Sequence, residues 1–180
     1  GVATITIPVG SSSATFNIAT IDDLIDDLAA ESFTVTVASA TGGNFENLVV
    51  SSSNNSVTTA ITDNDNAPTI SVSSPTVAEA GGFAQFTLSL SNPSSTATTV
   101  SLALANLTAT GGGTDYGSAA ATNLQVSTDG GTTWSNATSA TFAAGATSLL
   151  VRTPITSDAL DEDDETFTLT ATRTAGTTSN

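Results

Sequence analysis

The sequence contains no cysteine, histidine, methionine or lysine, and its only cationic side chains are Arg152 and Arg173. The missing cysteine excludes disulfides, and the missing lysine excludes a Lys–Asn isopeptide cross-link. The many serine and threonine hydroxyls have no histidine, lysine or cysteine to activate them as nucleophiles. A carboxylate pair could hydrolyse a glycosidic bond, but one Trp, one Tyr and seven Phe are few aromatics for a sugar cleft. We therefore expect a protein that is not an enzyme.

Positively charged side chains are also nearly absent, which limits the partners that the chain can bind. Seventeen acidic residues face two basic ones, and the formal net charge is −15. Such a surface repels nucleic acid and anionic membranes. No apolar stretch approaches the roughly 20 residues that a spanning helix needs, so we expect neither nucleic-acid binding nor direct membrane insertion.

What the sequence does contain is a regular alternation of apolar and polar residues. This period of two is typical of strands with one solvated face, and no segment carries a sustained helical stripe. Glycine-rich turns separate the alternating segments. The sequence therefore predicts an all-β fold, an antiparallel β-sandwich of immunoglobulin-like type. The clearest predicted strands are residues 15–18, 33–37, 86–90, 149–151 and 167–169.

An internal repeat relates the two parts of the chain. Residues 10–33 align with residues 145–167, with Gly10 matching Gly145 and Phe33 matching Phe167. The spacing predicts tandem domains: residues 1–66 as the C-terminal half of one domain, and residues 67–180 as a second domain without its last strand. Residues 2–7 alternate like a strand rather than reading as a secretion signal, so we expect a segment of a longer protein. Neighbouring repeats, or a second copy by strand exchange, would then supply the missing strands.

The acidic residues are concentrated in three groups, which hold 13 of the 17 acids. Clustered like charges repel one another, so an arrangement that recurs in both copies needs either a cation or a fully solvated loop. Oxygen ligands without imidazole or thiolate favour Ca²⁺ over zinc. The alternative is that these loops are only soluble acidic turns. The three groups are Asp22, Asp23, Asp26, Asp27 and Glu31; Asp63 and Asp65; and Asp158, Asp161, Glu162, Asp163, Asp164 and Glu165.

Five motifs together resemble the Calx-beta domain, an immunoglobulin-like calcium-binding sandwich. This domain occurs in exchanger regulatory regions and in tandem in giant bacterial surface adhesins of the RTX type. The resemblance covers most of the chain. The motifs are V-A-E-A-G-G at 77–82, G-T-D-Y at 113–116, F-A-A-G at 142–145, the acidic stretch 158–167 and I-T-D-N-D at 61–65.

The resemblance implies calcium ligands at matching positions. In the second domain these are Glu79, Asp115, Asp158 and Glu162, and in the first they are Asp23, Asp27, Asp63 and Asp65. Asp22, Asp26 and Asp161 are neighbours that share in the sites. Each site is expected to be incomplete, because the second lacks a closing Asp-x-Asp and the first lacks the upstream Glu and Asp-Tyr. Ser157 also stands where the first copy has Asp22.

The resemblance further implies a calcium-stiffened spacer of an extracellular, bacterial cell-surface repeat adhesin that projects a distal binding module in adhesion or biofilm formation. Two alternatives remain open. The chain could itself bind a glycan or protein, for which a cleft lined by Trp134 and Tyr116 would be needed. It could also be a filament subunit that exchanges strands between copies.

Overall fold

The computed structural model of this chain describes residues 1–27, 29–117 and 123–176. Ten strands and a single 3₁₀ turn, Glu79–Gly81, make up its regular structure in that part of the chain. In chain order the strands are β1 (Glu31–Thr36), β2 (Ser56–Ile61), β3 (Ile70–Val72), β4 (Phe83–Leu90), β5 (Thr98–Asn106), β6 (Gln125–Ser127), β7 (Ser135–Asn136), β8 (Ser139–Phe142), β9 (Ser148–Pro154) and β10 (Phe167–Ala175).

Strands β3 to β10 form two antiparallel sheets, as the alternating pattern predicts. One sheet has the order β3-β4-β9-β6-β7 and the other has the order β10-β5-β8. The residues of β4 alternate strictly between exposed and buried over its first four positions, so one face points to the core and the other to solvent. The all-β fold is therefore confirmed, and it is consistent with a β-sandwich.

The hydrophobic core lies between these two sheets. Leu88 and Val151 are fully buried on the inner face of the first sheet, and Val100 and Phe142 are buried on the inner face of the second. All core residues among those described fall between residues 84 and 169. Burial of these apolar side chains is the main stabilising contribution to the fold.

The chain before residue 67 has a different character. β1 and β2 form an antiparallel pair with Phe33 opposite Thr59, and in the part of the chain that the structure describes no third strand pairs with them. Their apolar side chains remain partly exposed, and Phe16 and Phe45 are exposed by 50% and 69%. Within the described part of residues 1–66, Asp26 is the only buried side chain.

Two strand predictions in this region are wrong. Residues 2–7 and 15–18 alternate in the sequence, but the structure assigns them no strand. An alternating segment becomes a strand only where a neighbour takes up its backbone N–H and C=O groups. Among the described residues, no backbone hydrogen bond joins residues 2–7 or 15–18 to another segment. The predicted strand at residues 33–37 is present as β1.

The described residues include no helix that is long and apolar enough to cross a membrane.

Candidate metal centres

Three of the predicted ligands of the second domain lie together at one end of the sandwich. One carboxylate oxygen each from Glu79, Asp158 and Glu162 falls within 4.8 Å of the others. Glu79 begins the 3₁₀ turn just before β4, and Asp158 and Glu162 follow β9. Because the start of β4 pairs with the end of β9, all three acids lie at the same end of the sheet. All three side chains are exposed, and the Asp158 carboxylate also accepts a hydrogen bond from the Leu160 N–H at 2.7 Å.

Asp115 is held beside this group by its neighbour Tyr116. The Tyr116 ring is buried, stacks on Phe167 with 4.0 Å between ring centroids, and donates a hydrogen bond to the Asn106 side chain. The Asp115 backbone is fixed on both sides, to Thr110 and to Thr156. The Asp115 carboxylate accepts a hydrogen bond from the Thr110 N–H at 2.6 Å, and its charge acts on Glu162.

Electrostatic repulsion is evident in this cluster. Desolvation, followed by the charges of Asp115, Asp158 and Glu79, raises the pKa of Glu162. Desolvation, a hydrogen bond with Asp115 and nearby acids also raise the pKa of Glu165. A hydrogen bond between two carboxyl groups requires a proton on one of them. In the absence of a cation, both pKa shifts favour the protonated forms of Glu162 and Glu165.

The acids of the first domain surround an open cleft of about 380 Å³. Asp63 organises it: one carboxylate oxygen accepts a hydrogen bond from the Asp27 N–H at 2.8 Å, and the other accepts one from the Asp65 N–H at 3.1 Å. Desolvation and the negative charges of its neighbours, Asp63 first, raise the pKa of Asp65. The acidic residues that line the cleft are Asp22, Asp23, Asp27, Glu31, Asp63 and Asp65.

Asp26 connects this cleft to the second domain. Its backbone N–H donates to the Pro93 carbonyl at 3.3 Å, and its carbonyl accepts from the Ser95 N–H at 3.1 Å and the Ser95 hydroxyl at 3.0 Å. The residue is 7% exposed, and its Oδ2 atom is buried without a hydrogen-bond partner. The charge of Asp26 makes the smallest of the contributions that raise the pKa of Asp65, and Asp26 is not among the residues that line the cleft. A buried carboxylate oxygen without a partner is costly unless a cation neutralises it.

Two acids that belong to the predicted acidic groups, but were not predicted as calcium ligands, lie beside the predicted sites. Glu31 lines the first cleft, and Glu165 interacts with Asp115. Their equivalent positions in the repeat, each two residues before a strand Phe, were the signal that could have found them. Asp161, by contrast, is exposed and lies outside the group of Glu79, Asp158 and Glu162. The full ligand sets named in the sequence analysis stay predictions.

Trp134 and Tyr116 do not line a common cleft. Tyr116 is buried in the core, whereas Trp134 is half-buried and donates its indole N–H to the Gly131 carbonyl at 3.0 Å. The Arg152 guanidinium lies 4.0 Å from the centroids of both the Trp134 and the Phe83 rings. These cation–π contacts cover a face of the indole, and they give Arg152 a structural role.

The donor chemistry of both groups fits a hard cation. Every candidate side chain is a carboxylate, and six to eight oxygen ligands in an irregular arrangement are what calcium takes. The unpartnered Oδ2 atom of Asp26 and the raised pKa values of Asp65 and Glu162 are each features that a bound cation would relieve.

These features define a class of protein, a β-sandwich with acidic loops at its ends. Comparison with family models narrows the class: the Calx-beta domain model matches residues 63–179, and the LapA domain model, from a biofilm adhesin family, matches residues 2–64. The chain belongs to the Calx-beta family. Neither a comparison with curated proteins nor one with solved structures gives a significant match.

The two family matches bear on several predictions. They support Calx-beta-like repeats of an adhesin, and adhesin-type domains indicate a surface or extracellular location. Neither family is a family of enzymes. Calx-beta domains are associated with calcium. The boundary at residue 66, and the interpretation of residues 1–66 as half of a Calx-beta-like domain, stay predictions.

Proposed function

We propose that this chain is a non-enzymatic, calcium-stiffened extender of an RTX-type adhesin on the bacterial cell surface, which holds a distal binding module away from the cell. Calcium in the first acidic cleft would fix the segment before residue 67 against the sandwich that follows. Repetition of this junction along a tandem array would convert flexible links into a stiff rod.

The observation that carries the proposal is the double role of Asp26. Its backbone is hydrogen-bonded to Pro93 and Ser95 in the loop between β4 and β5, while the charge of its buried carboxylate acts on Asp65 in the acidic group of the first segment. A cation held there would neutralise the repulsion and restrain both partners of the junction at once. Millimolar extracellular calcium is enough for the affinities of about 10⁻⁴ to 10⁻³ M that extracellular modules show.

The second cluster would act in the same way at the opposite end of the sandwich. Glu79, Asp158 and Glu162 supply three oxygens, and Asp115 and Glu165 lie next to them. A cation there would join the 3₁₀ turn before β4 to the loop after β9. Because the unfolded chain has no preformed site, the binding free energy would contribute to folding.

The test measures stability and stiffness on the same chain of 180 residues. Thermal unfolding is followed in EDTA, in calcium and in magnesium. The chain has no cysteine, so Ser53→Cys with Ser139→Cys introduces a unique pair of exposed sites for spin labels across the junction. We expect a calcium-selective rise in melting temperature and a narrower distribution of distances between the labels.

Two results would contradict the proposal. Equal melting temperatures in EDTA and calcium would mean that the acidic loops are only solvated. A rise in melting temperature with an unchanged distance distribution would mean that calcium stabilises the sandwich without stiffening the junction. Distances measured on chains that carry a single label control for association between molecules, because any distance seen there must join two chains.

A further inference from the structure

Two neighbouring residues, Leu160 and Asp161, form an exposed step in the loop between β9 and β10. Leu160 is 68% exposed. Asp161 is exposed as well, and it lies outside the cluster of three acids described above. Among the described residues, the one hydrogen bond of this step is local, from the Leu160 N–H to the Asp158 carboxylate at 2.7 Å. Neither the core nor the cluster of three acids accounts for this step.

The internal repeat gives the exposed step a counterpart in the first copy. Residues 22–27 read D-D-L-I-D-D and residues 157–162 read S-D-A-L-D-E. Each residue of the second run lies 135 positions after the residue that it matches in the first. Ile25 and Asp26 are therefore the counterparts of the exposed step.

The two loops also share the same backbone turn. In the first copy, the Ile25 N–H donates to the carboxylate of Asp23, two residues earlier, at 2.9 Å. In the second copy, the Leu160 N–H donates to Asp158 in the same way. Because the same hydrogen bond forms at the same place in the repeat, the structure supports the register of the sequence alignment.

The two loops differ in what lies beside them. Asp26 is 7% exposed and is hydrogen-bonded to the loop between β4 and β5. Its N–H donates to the Pro93 carbonyl, and its carbonyl accepts from the Ser95 N–H. These contacts use backbone groups, and Asp161 carries the same groups. The exposed step can therefore make the contact that Asp26 makes, provided that a loop of the same kind is placed beside it.

We infer that Leu160 and Asp161 are a docking surface for the β4–β5 loop of a further sandwich of the same kind, carried by the same chain. The Asp161 N–H would donate to a carbonyl of that loop, and the Asp161 carbonyl would accept from the N–H two residues further on. The inference rests on the tandem array of the proposed function, and it names the partner of the second junction in that array. It does not require calcium, because the contact seen at Asp26 consists of hydrogen bonds.

A second molecule of this chain does not fit as the partner. Its residues 93–95 are already bound to its own Asp26, so it has no free β4–β5 loop to offer. The step and the loop are different surfaces, so the contact joins units head-to-tail. In an array, each sandwich would dock its step on the β4–β5 loop of the next one.

A chain that continues the repeat tests this inference. Gly176 follows Gly42 by 134 positions, and both have positive φ, 86° and 91°. Joining a second copy of residues 43–180 to Gly176 therefore continues the repeat in phase. The extended chain keeps residues 1–176 and adds a second junction, at which the exposed step would meet the β4–β5 loop of the appended sandwich.

Spin labels compare the two junctions of the extended chain. Cysteines replace Ser53 and Ser139, which are both exposed, either in the original residues or in the appended copy. The original pair of labels spans the first junction, and the appended pair spans the second. In EDTA and in calcium alike, we expect the appended pair to give a peak at the same distance as the original pair.

Proline substitutions identify the residue that makes each junction, because proline has no N–H to donate. Asp161→Pro in the original residues should abolish the peak of the appended pair and leave that of the original pair. Asp26→Pro should do the reverse. Asp164→Pro is the matched control, since it removes the same charge and the same N–H from an exposed residue of the same loop, and it should leave both peaks unchanged. Circular dichroism confirms that each chain is folded.

Four results would overturn the inference. The first is a broad distribution for the appended pair beside a sharp peak for the original pair. The second is an Asp161→Pro chain that keeps the appended peak, or an Asp164→Pro chain that loses it. The third is a distance between chains that carry a single label, which would assign the surface to a second molecule. The fourth is a broad distribution for both pairs in both buffers, which would contradict the contact at Asp26 itself.

The calcium role is judged separately from the docking surface. Matching peaks at the two junctions that do not respond to calcium would support the docking surface and contradict calcium stiffening. Narrowing by calcium at the first junction, with a broad second junction, would support calcium stiffening and overturn the docking surface. Failure of one proposal is therefore distinguishable from failure of the other.

Discussion

Replacing Asp26 with asparagine should change the stability of the chain in opposite directions with and without calcium. The side chain is 7% exposed, and its Oδ2 atom has no hydrogen-bond partner. In EDTA, Asp26→Asn replaces a buried charge with a neutral amide of the same shape, which costs less to bury. The melting temperature in EDTA should therefore rise slightly. In calcium the variant should lose a ligand and with it most of the calcium response.

The size of that response follows from linkage. A site with a dissociation constant of about 10⁻⁴ to 10⁻³ M gains about 1.4–2.7 kcal/mol in roughly 10 mM calcium. For a chain of this size, 1 kcal/mol corresponds to about 2–4 °C, so the wild-type chain should gain about 3–11 °C from the first site. Asp26→Asn should remove more than half of this gain.

Differential scanning calorimetry of both chains, in EDTA and in calcium, measures the four midpoints. Glu46→Gln is the matched control, because Glu46 is an exposed acid outside both clusters. It removes the same charge and should leave the calcium response intact. The reasoning would be refuted if Asp26→Asn kept the full response, or if it lowered both midpoints by the same amount.

Three further predictions concern pH and the core. Desolvation and the hydrogen bond with Asp115 raise the pKa of Glu165, so the folded state binds its proton more tightly than the unfolded state does. In EDTA the melting temperature should then rise as the pH is lowered from 7 toward 5, and Glu165→Gln should flatten that rise. Hydrogen bonds from Thr133 and Ser127 lower the pKa of Asp129 to about 2. The ionised Asp129 carboxylate should therefore stabilise the folded state above about pH 4, and this contribution should be lost between about pH 4 and 2. Asp129→Asn should accordingly lower the melting temperature at pH 7 but not near pH 2. Phe142→Ala, at a site that is 1% exposed, should cost about 3–5 kcal/mol in urea unfolding, whereas Phe45→Ala should cost less than about 0.5 kcal/mol.

Each of these has an outcome that would contradict it. A stability in EDTA that falls steadily from pH 7 to 5 would show that repulsion among the acids does not act on folding. An Asp129→Asn difference that persists unchanged at pH 2 would show a role other than its charge. Similar losses for the two Phe variants would mean that the segment before residue 67 has a core of its own.

The sandwich could be predicted from the sequence because the patterns that specify its strands and turns lie within short segments of the chain. Alternation places Phe86 and Leu88 on one face, and turns with glycine at positive φ, such as Gly130 and Gly145, separate the strands. The same alternation failed at residues 2–7 and 15–18 because a strand also needs a partner. No property of those residues alone states whether a partner is present.

The acidic groups were also predictable, since charge density and repetition are visible in the sequence. Which acids lie together was only partly predictable. Glu79 reaches Asp158 through the pairing of β4 with β9, a contact between residues almost 80 positions apart. From the sequence alone, Glu165 is expected to face solvent beside the acidic loop, whereas in the structure it interacts with Asp115. The burial of Asp26 depends on the loop around Ser94, and nothing near Asp26 in the sequence indicates it.

The contact of Asp26 with residues 93–95 also has a mechanical consequence. Under tension along the chain, only a few backbone hydrogen bonds at Pro93 and Ser95 hold Asp26 of the first segment against the sandwich, in parallel with the covalent backbone that joins the two. The ladder between β4 and β9 spans seven residue pairs and is backed by the core. This hydrogen-bonded contact should therefore break at a lower force than the sandwich does. Because no covalent cross-link is broken, the contact could re-form when the load is released.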